Sequence, residues 1–565
     1  VSLFDPERLV FQQGASPLEG GAPEPVFSVS TDIGMRIERN RAVPMVDGVE
    51  IYVDLFLPEH QDEPVPVLIA WGPYGKHNGG AVYQQFKDES GRAGGGVDPS
   101  WISPYTTFEG PDPSRWCALG YAVINVDPRG TWWSGGDFAT VWDEREARDA
   151  SDLIAWAAAQ TWSNGKVGMT GVSYLAVSQW WAASLRPAAL AAINPCEGLS
   201  DVYREFSFHG GIPSEFPLFW QTHRLKFSNA KIEAVAGMMQ SDPLDSDYWE
   251  SKRPPLENIE VPAFVIASWS DQGLHTRGTL EAFDRIGSEH KYLEVHGRKK
   301  WEYYHQPSTV ARQKQFFDRY LKDIDTGVES WPKVRMEMRR SFYSGFERTA
   351  AAWPVAETRW LTLALDAGGQ ALSETEPTSP AAACYDSADG GAIFDHTFGA
   401  PVDVVGALRL TLWIEAADTD DFDVFVAVKK LDAAGELVDF AYANVLEHGP
   451  VALGWLRSSH RSIDESRSTP NRPWHTHTGE ERVPAGTPVK LDVEIWPSAT
   501  RFDAGETLRL IVQGGDVYPG AALWRHVDTR NAGLHTIHTG PGHESTLVVP
   551  VLPAVDLPAW TSPDV

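Results

Sequence analysis

KVGMTGVSYLA, residues 166–176, runs a short apolar stretch into a glycine and a serine and then into an apolar helix-forming segment. A serine held on a tight strand-to-helix turn exposes its hydroxyl above a sheet, and a small neighbour such as Gly171 lets the backbone make that turn. The amide of Tyr174, first in the following helix, is then free to donate to an oxyanion. The pattern departs from G-x-S-x-G at its last position, where Leu175 stands and a small residue returns only at Ala176. Taken alone, the stretch also reads as an ordinary strand, turn and helix with an incidental serine.

Working outward, further apolar runs suit strands buried on both faces: 65–70, 121–126, 190–194, 263–267 and 292–295. Helix patterns lie between several of them, at 143–159, 174–185, 274–285 and 308–321. This alternation predicts an α/β domain around a mostly parallel sheet. EIYVDLFL, residues 50–57, alternates apolar residues and predicts an antiparallel edge hairpin. From 200 to 254 the alternation gives way to an aromatic, amphipathic region that reads as an inserted helical cap. Residues 367–383, rich in Ala, Gly, Ser, Thr and Pro, read as a loop or linker. Beyond it the apolar period becomes two, at 408–414, 422–428, 489–495 and 508–512, which predicts an all-β sandwich of jelly-roll type. The domain reading is therefore hydrolase-like α/β at 1–199 and 255–350, a helical cap at 200–254, and a β-sandwich at 351–565.

Composition narrows the function classes. The 565-residue chain is too long for one ordinary domain. Its 48 basic and 77 acidic residues give a net charge of −29, which opposes binding to nucleic acid and to anionic membranes. The three cysteines, Cys117, Cys196 and Cys384, form no CxxC pair and are expected as buried thiols rather than disulfides or zinc ligands. No apolar run approaches a membrane span, and the first thirty residues lack a signal-peptide pattern. A cytoplasmic protein is the default, although the chain begins with Val and a leader could have been removed.

Candidate partners for Ser173 follow from position. In an α/β-hydrolase the triad runs Ser, then acid, then His, with the last two on loops after later strands. Asp271 follows the strand AFVIA, and His296 follows KYLEV directly. For the oxyanion, the Tyr174 amide needs a second donor, and the loop VLIAWGPYGKH supplies Tyr74, whose phenol can replace an amide. Each residue also has a plain structural role open to it: helix N-cap for Asp271, strand end for His296, core aromatic for Tyr74.

PYGK after the first core strand, DPRGTWWSGGDF, the segment IAWAAAQTWSNGKVGMTGVSYLAVSQWWAA, SWSDQGL and the C-terminal RFDAGETLRLIVQ together resemble the cocaine esterase and X-prolyl dipeptidyl peptidase family of serine hydrolases. The resemblance implies an α/β-hydrolase domain, a helical cap and a C-terminal jelly roll. It also implies acyl-enzyme chemistry on esters or amides with no metal or organic cofactor. By position it makes Ser173 the nucleophile, Asp271 the acid, and Tyr74 with the Tyr174 amide the oxyanion hole. The sequence departs from the family at the histidine: where members commonly show Gly-Pro-Trp-x-His, this chain reads HGRKKWEYYHQ. His296 and His305 are the candidates, His296 being favoured because a residue at the strand end needs the least loop rearrangement. The hydrolase reading needs one of the two.

Lesser signals remain. WHTH, residues 474–477, places His475 and His477 at strand spacing for a metal, but its surroundings favour a surface polar cluster. His209, His275 and His460 read as isolated structural histidines. Phe206, Phe208, Phe216, Phe219 and Trp220 read as cap core with some facing the acyl pocket, and Trp132 and Trp133 as packing or pocket lining. The expectation is a serine-dependent acyl hydrolase on esters with apolar or aromatic acyl groups, with a small-molecule substrate. An X-prolyl dipeptidase or amidase is the alternative, its ammonium-binding acids sought in Asp201, Glu205 and Glu215. Acyl transfer would use the same triad. The reading from another class is a non-catalytic carbohydrate- or protein-binding protein built on the β-sandwich. A homodimer fits a chain of this size, but no two-fold surface is legible.

Overall fold

The computed structural model describes residues 5–77, 79–92, 94–518 and 525–555. One sheet runs in the spatial order Met35–Pro44, Glu50–Pro58, Ala122–Asp127, Val65–Trp71, Ser163–Val172, Leu190–Cys196, Ala263–Ser268, Lys291–His296, Val334–Ser341 and Ser344–Ala350. From Ala122–Asp127 to Val334–Ser341 neighbouring strands are parallel, and the flanking pairs are antiparallel. Ala122–Asp127 and Ala263–Ser268 are buried throughout their length, and Val65–Trp71 from its second residue on, as their unbroken apolar runs require. The strand over Glu50–Pro58 is not at the edge: it pairs on both sides, and Ser28–Asp32 lies outside Met35–Pro44.

Helices Glu144–Ala158, Tyr174–Ser184, Thr276–Arg285 and Pro307–Leu321 fall where the sequence pattern put them. The first is started by Asp143, whose carboxylate accepts the Glu146 amide, an N-cap worth about 1 kcal/mol. Between Leu190–Cys196 and Ala263–Ser268 the chain forms a short π-helical turn, Tyr203–Ser207, and helices Phe216–His223, Val235–Ser241 and Asp247–Glu250.

The C-terminal region is built from antiparallel strands. One set pairs Arg359–Asp366, Thr546–Pro553, Val402–Ala416, Leu534–Thr539 and Ala381–Asp386; another pairs Gly391–Thr397, Thr507–Gln513, Asp423–Leu431 and Ala452–Arg457. Alternate residues of both sets, among them Leu410, Leu412, Val426, Leu510 and Leu547, share one hydrophobic core. The stretch read as a linker contributes strands Ala371–Ser373 and Ala381–Asp386. Its small residues alternate on a half-exposed edge, which weakens the strand signal. Cys117 and Cys196 are buried, whereas Cys384 is exposed, contrary to expectation.

This β-rich region grips the α/β part through the loop after Ala263–Ser268. The Ala443 amide donates to Ser270 O (2.8 Å), Gln272 Nε2 donates to Pro497 O (2.9 Å), and the Leu453 amide donates to Gln272 Oε1 (3.2 Å). Arg277, buried in the next helix, bridges Glu205 (2.7 Å) and Glu494 (3.0 Å).

Candidate active site

Ser173 ends the strand Ser163–Val172 with φ 60° and ψ −115°, a conformation that non-glycine residues rarely adopt and that tends to mark functional turns. Gly171 (φ 152°) makes the turn possible, because a Cβ there would lie 2.5 Å from the Leu175 Cβ. The departure at Leu175 has a steric answer elsewhere in the chain. Gly72 and Gly171 crowd the Leu175 side chain so closely that a Cβ on either would collide with it, so the small residues sit around Leu175 instead of replacing it. The Ser173 amide is fixed to Cys196 O (3.0 Å). The Tyr174 amide donates to no carbonyl among the described residues.

The imidazole on Ser173 is His275. Its Nε2 lies 3.1 Å from Ser173 Oγ, and its Nδ1 is 2.5 Å from Asp271 Oδ2. The carboxylate fixes the ring proton on Nδ1 and leaves Nε2 to accept from the serine hydroxyl. Asp271 and His275 stand four residues apart in one turn, in which the amides of Leu274, His275 and Thr276 all approach Asp271 O within 3.3 Å. Gly273 (φ 86°) supplies the left-handed residue that closes it.

Neither His296, the favoured candidate, nor His305 reaches the serine. His296 is buried at the end of its strand, stacked on Tyr303 with ring centroids 3.7 Å apart; its Nδ1 accepts the Arg298 amide and its Nε2 faces Glu197 Oε1 at 3.1 Å. The stacking and the Glu197 contact leave the ring no contact with Ser173 or Asp271 among the described residues. His305 is one full helix farther on, bonded to the Tyr83 hydroxyl (2.9 Å). His275 reads in the sequence as an isolated structural histidine, as a lone histidine in a helix-like run does. The signal for it was Asp-x-x-x-His, a spacing that puts both side chains on one face.

Lys300, which the sequence reading missed, occupies the room beside the pair. Its buried Nζ is 3.5 Å from Asp271 Oδ2, 3.5 Å from His275 Nδ1 and 3.8 Å from Glu109 Oε1. Burial opposes its charge, but the neighbouring carboxylates, Asp271 first, outweigh that and raise its pKa, so it stays cationic. Burial and then the Lys300 charge push His275 down to about 4, against the pull of Asp271. The ring is neutral at pH 7, the form that can take a proton. Asp271 feels burial upward, but Lys300 and His275 hold it below the usual carboxylate range. Burial, then Asp271, pushes Glu197 well above it, so Glu197 keeps its proton. Burial raises Glu109 to about 7.

Tyr74 is buried and accepts from Trp220 Nε1 (3.2 Å), and burial followed by the Glu109 charge raises its pKa well above the ordinary value, so its hydroxyl keeps a proton to donate. The Tyr174 phenol points the other way, donating to Glu146 (2.9 Å). Ser173, His275, Tyr74 and Lys300 face a cavity of about 570 Å³ counting its open mouth, walled by aromatic rings that include Phe108, Trp142, Phe206, Phe216 and Trp220. Phe219 lines it too, whereas Phe208 packs on Tyr203 and Trp249. Trp132 lines an adjoining outer cleft. Trp133 lines neither.

The acids considered for ammonium binding are all neutralised by arginine. Asp201 is paired with Arg204 and Arg253, Glu205 with Arg277, and Glu215 with Arg525, and none of the three lines the cavity. Ligand-capable atoms of Glu197, Asp271 and His275 lie within 4.8 Å of one another, but His275 spends both nitrogens on protein groups and the Lys300 ammonium shares the space. His475 and His477 are buried rather than a surface cluster, with His477 Nδ1 3.1 Å from His460 Nδ1.

A serine on a strained turn, an imidazole on its hydroxyl and a carboxylate behind the imidazole, above a mostly parallel sheet, define the α/β serine hydrolases. The pattern of the X-Pro dipeptidyl-peptidase S15 family matches residues 47–233, and that of the X-Pro dipeptidyl-peptidase C-terminal non-catalytic domain matches residues 326–548. The chain is 39% identical to a CocE/NonD family hydrolase of Staphylococcus aureus of known structure, covering 92% of this chain and 94% of the other with a TM-score of 0.85. It is 27% identical to a cocaine esterase of Rhodococcus, over 91% of this chain and 98% of that one. An α-amino acid ester hydrolase, 17% identical, shares the fold with a TM-score of 0.69 over 94% of this chain and 98% of the other. The chain belongs to the CocE/NonD family of X-Pro dipeptidyl-peptidase-like serine hydrolases. No helix of the described residues is long and apolar enough to cross a membrane.

Proposed function

We propose that the protein hydrolyses carboxylic esters with apolar or aromatic acyl groups through a Ser173 acyl-enzyme. The observation that carries this reading is the Ser173–His275–Asp271 chain of contacts opening on an aromatic cavity. His275 takes the serine proton as Oγ attacks the ester carbonyl, and Asp271 stabilises the imidazolium that results. The Tyr174 amide and the Tyr74 hydroxyl receive the oxyanion. His275 then returns the proton to the departing alcohol, and water repeats the sequence on the acyl-enzyme. Lys300 keeps Asp271 ionised and His275 unprotonated between turnovers.

The arginine pairing of Asp201, Glu205 and Glu215, together with the Lys300 ammonium 3.8 Å from Glu109, the acid that lines the cavity among the described residues, favours an ester over an X-Pro dipeptide, whose ammonium group would meet that cation. We read the domains as α/β-hydrolase at 1–199 and 255–350, cap at 200–254 and jelly-roll sandwich at 351–565. The test is steady-state turnover of aryl esters and X-Pro anilides with acylation of the serine by a fluorophosphonate. Ester turnover and labelling are both expected to disappear in Ser173→Ala, with rate losses of about 10⁴-fold or more. Anilides preferred over esters would move the function to a peptidase.

A further inference from the structure

The catalytic cavity continues outward past Tyr74, Phe219 and Arg224 into a second cleft of about 1210 Å³, counting its open mouth. Trp132, Phe219 and Phe227 wall this cleft, and its charged groups are Arg224 and Lys226, with exposed Glu19 as the lone acid. A cationic cleft is out of character for a chain of net charge −29, in which arginine after arginine is tied to a carboxylate.

Arg224 is not tied in that way. Among the described residues no carboxylate lies within ion-pair distance of it. Its guanidinium stands over the Phe86 ring (4.6 Å) and gives one hydrogen bond to the neutral Gln85 side chain (3.1 Å). The acid nearest in effect, Glu109, turns its Oε1 to Trp301 Nε1 (2.9 Å) and Lys300 (3.8 Å), and its unpartnered Oε2 lies beyond hydrogen-bond reach of Arg224. A guanidinium held over an aromatic ring, half-buried and without an ion-pair partner among the described residues, at the junction of the reacting centre and an open cleft, is built to receive a planar anion.

We infer that Arg224 anchors a carboxylate carried by the leaving-group half of the substrate, so that the enzyme takes esters of carboxylated alcohols or phenols. This rests on the ester hydrolase reading above. The inner cavity is walled by aromatic rings and suits the acyl half, and the outer cleft, open to solvent, is the way out for the alcohol. The carboxylate contributes binding and orientation; the bond broken is still the acyl carbon to alkoxy oxygen bond, and His275 returns the proton to the leaving oxygen.

The experiment compares 4-carboxyphenyl acetate with its neutral isostere 4-carbamoylphenyl acetate in wild type, Arg224→Gln and Arg224→Lys, with 4-nitrophenyl hydrogen succinate against 4-nitrophenyl butyrate to place the charge on the acyl side. The expected result is a wild-type preference for the carboxylate of about tenfold or more in kcat/KM, carried by KM. Arg224→Gln should abolish the preference and Arg224→Lys should keep part of it. High salt should weaken it in wild type. Equal turnover of carboxylate and amide by wild type overturns the inference, as do equal losses for both esters in Arg224→Gln or a preference found on the succinate instead. These outcomes all leave Ser173-dependent ester turnover intact; absence of turnover and of serine labelling would instead bring down the hydrolase reading and the anchor with it.

Discussion

Two stretches rise from adjacent parallel strands toward the same carboxylate: SWSDQGLH, residues 268–275, and HGRKKW, residues 296–301. Strand register sets Ser268 opposite His296, so both stretches start level. The first carries acid and imidazole together in one turn; the second brings a lysine to where an imidazole was expected and turns its own histidine onto Tyr303 and Glu197. A triad is therefore a requirement on three atoms in space. A histidine four residues after the acid meets it as well as one from the next strand, provided the vacated place is filled by a group that keeps the pair correctly charged.

That comparison is broken most directly at the histidines. His275→Ala is expected to lower kcat by about 10³-fold or more, against less than about tenfold for His296→Ala, as measured on one aryl ester. A large loss confined to His296→Ala would return the role to the strand end.

A smaller effect is expected from Lys300→Met, and it sharpens the account of charge. The acid limb of the kcat/KM profile follows protonation of His275. Burial and Lys300 both lower that pKa, to about 4, so wild type retains its neutral base well into acid. Without the ammonium the pKa rises, and activity at pH 5 should fall several-fold relative to activity at pH 8. An unmoved limb would show that Lys300 does not govern the imidazole.

The smallest effect is expected at the grip on the loop. Gln272→Ala removes the side-chain bonds to Pro497 and Leu453 and leaves their buried groups unpaired, a loss of about 1–3 kcal/mol. Thermal unfolding should register it, with kcat reduced less than in Lys300→Met.

The sheet was legible because its strands are buried on both faces and its helices carry ordinary start signals such as Asp143. Ser173 was legible because its turn has a local cause in Gly171. The β-rich region was legible from residues such as Leu408, Leu410 and Leu412, whose period is two. His275 and Lys300 were not, for their roles depend on what stands across from them: a histidine inside DQGLHTRG and a lysine inside RKKW carry no local mark of the cavity they share. Leu175 illustrates the same point in steric terms, since the glycine that accommodates it at position 72 lies about a hundred residues upstream.

The bond from Gln272 to Pro497 spans 225 residues and that from Leu453 spans 181. On the ribosome the segment holding acid and imidazole thus emerges long before its supports do. A nascent chain already holding Ser173, Asp271 and His275 lacks these two hydrogen bonds until synthesis has passed Pro497, so the full stability of that loop is a late product of folding, set by contacts of high sequence separation.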